Sequence, residues 1–203
     1  MNALQRRRTR QSEQIPYVEL RAGHLEHLKT LTDRNQLLEY LPQQAVVAEI
    51  GVFKGDFSQA ILDHNNPVAL HLVDCWQGKA ALKHLETVRQ RFSNEIAAGK
   101  VRLHREKSIA ALEQFPENYF DWVYLDTDHS YTTTAAELVC CARVVKPGGI
   151  IAGHDYVTGN WNGGVRYGVV EAVNEFCVRE NWTLRYLTAE THRHLSFAIQ
   201  RMP

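Results

Sequence analysis

Two short stretches concentrate the ionisable side chains of this 203-residue chain. Asp126-Thr127-Asp128-His129-Ser130-Tyr131 follows the run Phe120 to Leu125, and Gly153-His154-Asp155-Tyr156 follows Ile150 to Ala152. Both runs have the length and the β-branched or aromatic content of strands, so three acids and two histidines arrive at two strand ends. Burying so many titratable groups for structure alone is costly, and the pattern points to a functional cleft. Imidazoles with an ordinary pKa near 6.5 beside carboxylates suit proton transfer at neutral pH. Taken singly, the residues stay ambiguous. Asp128 and Ser130 are equally helix caps, and Tyr131 and Tyr156 equally packing residues. His24, His27, His64, His84 and His192 are read as without a role.

A second pattern lies upstream. Glu49-Ile50-Gly51-Val52-Phe53-Lys54-Gly55 reads ExGxxxG after the run Val46 to Ile50, and its two glycines allow a tight turn and close approach of backbone to a ligand. Phe53 stands where the dinucleotide fingerprint GxGxxG needs its second glycine, and no Walker GK[ST] occurs, which disfavours pyrophosphate binding. Asp74 ends the next strand, where doubly wound folds place a carboxylate for both ribose hydroxyls. Trp76 beside it offers a face to a base, or is a core residue. Ser108 opens a later helix, either as its N-cap or as a contact to an adenine edge.

The elements that must position these residues follow an α/β alternation. Leu25, Leu28 and Leu31, then Leu37, Leu38 and Leu41, predict leading helices within 23–41, stopped at Pro42. Strands are expected over Val46 to Ile50, Val68 to Val73, Val101 to His104, Phe120 to Leu125 and Ile150 to Ala152. Helices are expected around Phe57 to Leu62, along the face Leu82, Leu85, Val88, Phe92 and Ile96, over Ile109 to Phe115, and around Ala135 to Val145 and Val169 to Cys177. Thr183 to Leu187 and Leu195 to Ile199 read as a closing hairpin. Continuous apolar strands belong to a buried parallel sheet, whose ligands bind beyond the carboxyl ends of its strands. The loop Thr158 to Gly168, with Trp161 and Tyr167, is either a cover for that edge or an ordinary surface loop.

Composition sets the frame. With 44% hydrophobic and 23% charged residues, one domain over 15–203 can bury roughly 70% of its unfolded surface, so no metal or disulfide is needed for folding and a metal would serve chemistry. Arg6, Arg7, Arg8 and Arg10 against Glu13 leave residues 1–14 at +3, a mobile basic tail, and the remainder at −3, which is not a nucleic-acid surface. Cys75, Cys140, Cys141 and Cys177 form no CxxC pair, as expected of reduced intracellular thiols. No apolar run nears the roughly 20 residues of a membrane span, and no apolar signal segment follows the arginines. A cytoplasmic protein without membrane partners is expected, with homo-oligomerisation left open.

Together, the ExGxxxG turn, Asp74, the DxDHxY strand end and the PGGxxxxHDY segment resemble the class I S-adenosylmethionine-dependent methyltransferases over Val46 to Tyr156. The resemblance implies a doubly wound Rossmann-like sheet of order 3-2-1-4-5-7-6 whose last strand is antiparallel. It places Glu49, Gly51 and Gly55 on the methionine and ribose side of the donor, Asp74 on the ribose diol, and Trp76 and Ser108 beside the adenine. Within the class, the chain is similar to small metal-dependent O-methyltransferases of the mycinamicin sugar and catechol types. That similarity implies a divalent ion, Mg²⁺ or Mn²⁺, on Asp126, His154 and Asp155, with His129 as catalytic base and Asp126 beside it. His154 stands where the relatives usually carry an acid or amide, which suits Mn²⁺, Fe²⁺ or Zn²⁺ better than Mg²⁺. The expected reaction is methylation of a hydroxyl on a small-molecule acceptor. The alternatives are a catalytically silent nucleotide-binding partner subunit and a metal-dependent hydrolase.

Overall fold

Strands that are apolar on both faces need a layer of helices on each side, and the chain supplies both layers. In the computed structural model, which describes residues 15–160, 164–190 and 194–202, the chain forms β1 (Lys29–Leu31), α1 (Arg34–Tyr40), β2 (Val46–Ile50), α2 (Asp56–Asn65) and β3 (Ala69–Val73). It continues through α3 (Lys79–Arg91), α4 (Ser93–Ala97), β4 (Val101–His104), α5 (Ser108–Gln114), β5 (Phe120–Leu125), α6 (Tyr131–Val144) and β6 (Val145–Gly153). The short pair β7 (Gly159–Asn160) and β8 (Val165–Arg166), then α7 (Val169–Glu180), β9 (Trp182–Thr188) and β10 (Phe197–Arg201), complete it. No helix among the described residues is long and apolar enough to cross a membrane.

The main sheet runs β4-β3-β2-β5-β6-β10-β9-β1. Without β1 this is the expected 3-2-1-4-5-7-6 order, with β10 antiparallel to both its neighbours. Alternation along the strands splits the core. Val47, Leu70, Leu72, Trp122 and Ala152 pack toward Leu37 of α1, Ile61 of α2 and Val88 of α3. Ala48, Ile50, Val123, Leu125 and Ile151 pack toward Leu112 of α5, Leu138 of α6 and Val173 of α7.

The leading segment departs from the expected helices over 23–41. Only Arg34–Tyr40 is α-helical, preceded by a 3₁₀ turn at Ala22–His24 and by β1, which adds an eighth strand parallel to β9. Leu28 packs against the core on the α5–α7 side and Leu31 against the core on the other side. Residues three apart share a helix face but lie on opposite sides of a strand, so the leucine spacing had two solutions. Asp33 decides where the helix begins: its Oδ1 accepts from Asn35 N at 2.8 Å and Gln36 N at 3.0 Å, an N-cap that excludes helix upstream. The long helix expected through Ile96 breaks at Phe92 into α3 and α4.

Register brings the candidate residues together. Ile50 lies beside Val73 and Leu125, Leu125 beside Gly153, and Gly153 beside Phe197. The residues one step beyond the parallel strands, Gly51, Asp74, Asp126 and His154, therefore form a row along the carboxyl edge. Their amides prolong the ladder: Gly51 N donates to Val73 O at 2.8 Å, Asp126 N to Ile50 O at 2.8 Å, and His154 N to Leu125 O at 2.9 Å.

Candidate active site

The cleft at this edge has a volume of about 760 Å³, within the range of small-molecule sites. Gly51, Phe53, Asp74, Ser108, Asp126 and Thr127 are in its wall. Gly51 (φ +94°) turns the chain where β2 meets β5, and a Cβ there would stand 1.9 Å from the Asp126 carbonyl oxygen. The first glycine of ExGxxxG is thus demanded by the contact between two strand ends as well as by the turn.

Asp74 grips the glycine loop. Its Oδ2 accepts from Val52 N at 3.0 Å and Phe53 N at 2.9 Å, and its Oδ1 from Trp76 N at 2.8 Å. A carboxylate has about four acceptor positions, so three backbone donors leave room for one ligand hydroxyl rather than the expected pair.

Three residues expected on the donor take other places. Glu49 is 1% exposed and accepts a short hydrogen bond from the Ser58 hydroxyl; burial pushes its carboxyl up to about 8. It lies beneath the cleft rather than in its wall. Gly55 (φ +80°) opens α2 and faces the Phe92 ring, which a Cβ would meet at 2.8 Å, so it serves helix packing. Trp76 is 1% exposed, with its indole N–H donating to Phe53 O at 3.0 Å; the core reading holds, and the aromatic ring in the wall belongs to Phe53. Ser108 does line the cleft, as the first residue of α5 rather than its cap.

Beside the cleft, the two acid-and-histidine strand ends converge on Asp155. This carboxylate is buried, with its backbone in the left-handed region (φ +58°), and three imidazoles surround it. His129 Nε2 is 2.7 Å and His154 Nδ1 3.4 Å from Oδ2, while His194 Nδ1 bonds Oδ1. Burial alone would raise the Asp155 pKa, but hydrogen bonds and charge from His129 and His154 win and hold it far below the carboxylate range. His129, also left-handed (φ +61°), reaches Asp126 Oδ1 at 3.2 Å as well. Two non-glycine residues in the left-handed region thus face each other beside the cleft.

His129 is not the free imidazole expected from its ordinary pKa. Burial would lower it, yet the bonds to Asp126 and Asp155 overcome this and raise it to about 9, so at neutral pH it is an imidazolium. Asp128 and Ser130 are caps: Asp128 Oδ1 accepts from Ser130 N, and Ser130 Oγ from Thr133 N. Tyr131 and Tyr156 brace α7 through Glu175 and Asn174. Of the loop Thr158 to Gly168, Tyr167 lies 4.7 Å from the His129 ring and 5.6 Å from that of His194. Trp161 and His192 lie outside the described residues.

His194 was not legible as a site residue, because it precedes its strand, whereas the ligand-binding residues of a parallel sheet follow theirs. An antiparallel strand brings its amino end to the same edge, and Phe197 pairing with Gly153 carries the segment before β10 there.

One donor atom each of Asp126, His154 and Asp155 lies within 4.8 Å of the others, a spacing compatible with common ligation of one ion. The donors are two carboxylate oxygens and one imidazole nitrogen, and His154 Nε2 is buried without a protein partner. Such a mixed nitrogen and oxygen set fits a first-row divalent ion better than Mg²⁺.

The sheet order, with a cleft at the carboxyl edge of its central strands, is that of the Rossmann-like methyltransferases. The chain belongs to a methyltransferase-domain family, whose model matches residues 48–156, just over half of it. No curated protein sequence matches. Among solved structures, the pyocyanin biosynthetic protein PhzM is 14% identical with a TM-score of 0.61, covering 79% of this chain and 51% of its own, so this chain spans about half of PhzM. SMU.1697c of Streptococcus mutans, in complex with S-adenosylhomocysteine, is 13% identical with a TM-score of 0.60, covering 83% and 96%. The 1,6-didemethyltoxoflavin-N1-methyltransferase of Burkholderia thailandensis, with its substrate and S-adenosylhomocysteine, is 14% identical with a TM-score of 0.59, covering 83% and 76%. At such identities the likeness is one of fold.

Proposed function

We propose that the protein transfers a methyl group from S-adenosylmethionine to a hydroxyl of a small molecule, a sugar or phenol-like compound, with a divalent cation assisting. One observation carries this reading: Asp126 belongs both to the wall of the cleft and to the acid and histidine cluster. A donor lying along Gly51, Asp74 and Ser108 thereby has its reacting end beside groups able to orient and deprotonate an acceptor.

The acceptor oxygen attacks the methyl carbon as the carbon–sulfur bond breaks, the bonding pair stays on sulfur, and the hydroxyl proton passes to a base. The chain's main contribution is to hold oxygen and methyl within about 3 to 3.5 Å of each other. Asp126, His154 and Asp155 would hold the cation, and His194 fixes the orientation of Asp155. A cation held there would supply positive charge to acidify the acceptor hydroxyl and to balance the two aspartates in place of His129. His129, three residues beyond Asp126 and under Tyr167, is the residue that takes the proton.

The test is incubation with S-adenosylmethionine and a panel of sugars and phenols, with mass detection of one added methyl. The gain should fall with a chelator and return with Mn²⁺ or Mg²⁺. Donor binding without methyl gain would instead indicate a silent partner subunit, and cleavage of a panel member a hydrolase.

Asp74→Ala removes a charge-assisted contact worth about 1.5 to 3 kcal/mol, and the anchor of the glycine loop with it. Calorimetry with S-adenosylhomocysteine is expected to show at least about a tenfold loss of affinity. Unchanged affinity would place the donor elsewhere.

A further inference from the structure

A hollow of about 550 Å³ lies at the opposite edge of the sheet from the cleft, where β6 and β9 begin and β10 ends. Gly149 in its wall is four residues along β6 from Gly153 at the carboxyl edge, about 13 Å at 3.3 Å per residue. No residue lines both spaces. Among the described residues, the titratable side chains of its wall are His27, Lys146, Arg185 and Arg201, and none is an acid. Lys146 is already balanced: its Nζ is 2.7 Å from Oδ1 of Asp121, whose Oδ2 accepts from Val46 N at 2.8 Å. Arg185 and Arg201 have no ion pair and no side-chain hydrogen bond to any described residue, and the Arg201 guanidinium lies 5.7 Å from the centre of the Trp182 ring. Trp182, in the same wall, is 3% exposed, and its indole N–H has no partner. Such a group only donates, so what completes it is an acceptor.

Strand geometry collects these residues. Ala198 pairs with Tyr186 but Ile199 with Leu184, which leaves Arg185 as the extra residue of a bulge in β9. Phe120 pairs with Val145 but Trp122 with Ile150, so the four residues Lys146 to Gly149 have only Asp121 opposite them. Both register shifts of the main sheet thus border the hollow, and a bulge is a usual means of re-aiming a side chain.

We propose that this hollow is a second ligand site, for a small molecule that carries an oxyanion group, a carboxylate or a phosphate, on an apolar body. Arg185 and Arg201 are its counter-charges: the planar fork of a guanidinium matches both kinds of oxyanion, and no acid in the wall competes for it. Two like charges in the wall of one concave space repel, and an anion bound with them turns that repulsion into attraction. Ala142, Val145, Pro147 and Met202 supply the apolar part of the wall, and the volume is that of a small-molecule site.

Nitrogen-15 spectra with phenyl phosphate and phenylacetate as probes, at constant ionic strength in sodium chloride, test the site directly. At least one probe should shift the indole N–H of Trp182, assigned with Trp182→Phe, together with the Nε–H signals of Arg185 and Arg201. The tighter of the two identifies the anion. Benzyl alcohol, which has the ring without the charge, should leave these signals in place. Arg185→Gln combined with Arg201→Gln should weaken the probe by about tenfold or more, while the far-ultraviolet circular dichroism stays that of the wild type. If the double variant does not fold, the wild-type shifts decide alone. Signals that neither probe moves, equal shifts with benzyl alcohol, shifts that chloride reproduces, which would mean an adventitious ion only, or an affinity unchanged in the double variant would each overturn the inference. None of these readouts involves methyl transfer, so the second site stands or falls apart from the proposed function.

Discussion

Gly51→Ala is expected to abolish donor binding and to destabilise the fold by about 3 kcal/mol or more. The added methyl would sit 1.9 Å from the carbonyl oxygen of Asp126, a backbone atom that cannot rotate away, at a residue whose φ is +94°. Relief requires β2 and β5 to separate, and that motion displaces Asp126 from cleft and cluster together. The comparison variant is Gly55→Ala. Its φ of +80° is also unfavourable, but the Cβ would meet the edge of the Phe92 ring at 2.8 Å, and a side chain can shift. It should cost about 1 to 3 kcal/mol and keep donor affinity within a few-fold. Urea unfolding with S-adenosylhomocysteine calorimetry separates the two, and a Gly51→Ala protein with wild-type stability and affinity would contradict the strand-end contact.

This contrast marks what the sequence could and could not say. A glycine after a strand can be read as a turn, but which backbone it approaches depends on strand order and register, which bring Ile50 beside Leu125, 75 residues later. The alternation of apolar runs and amphipathic segments made the α/β class and the buried parallel sheet legible, whereas the strand order came only with the resemblance to the class I methyltransferases. The first strand was not legible, since Leu25, Leu28 and Leu31 satisfy helical spacing, and the decision rested on the Asp33 cap and on pairing with β9, remote in sequence. Among site residues, Asp74, Ser108, Asp126, His129, His154 and Asp155 lie at the carboxyl edge because their strand ends do. Glu49 and Trp76 share that neighbourhood in sequence, yet side-chain direction sends both into the core.

Asp155→Asn is expected to cost about 3 to 5 kcal/mol at pH 7, because removing one partner of a buried ionic group leaves the other charges uncompensated. His129 is the group that loses most. Its folded pKa of about 9 lies above the ordinary 6.5, so its contribution is fully present below pH 6.5 and is lost as pH rises through about 9. The shift corresponds to at most about 3 kcal/mol, shared between Asp126 and Asp155. In metal-free buffer with a chelator, wild-type stability from urea unfolding should therefore decline between pH 6.5 and 9. Asp155→Asn should show a shallower decline, since Asp126 alone, at 3.2 Å, still supports the imidazolium. The same charge balance links this slope to the proposed chemistry. A divalent cation at the two aspartates competes with His129 for their charge, so saturating Mn²⁺ should flatten the wild-type slope, and diamagnetic Zn²⁺ should lower the His129 pKa toward 6.5 in an NMR titration. Stability independent of pH over this range, or a His129 that titrates near 6.5 without any ion, would show that the imidazolium is not the counter-charge of Asp126 and Asp155.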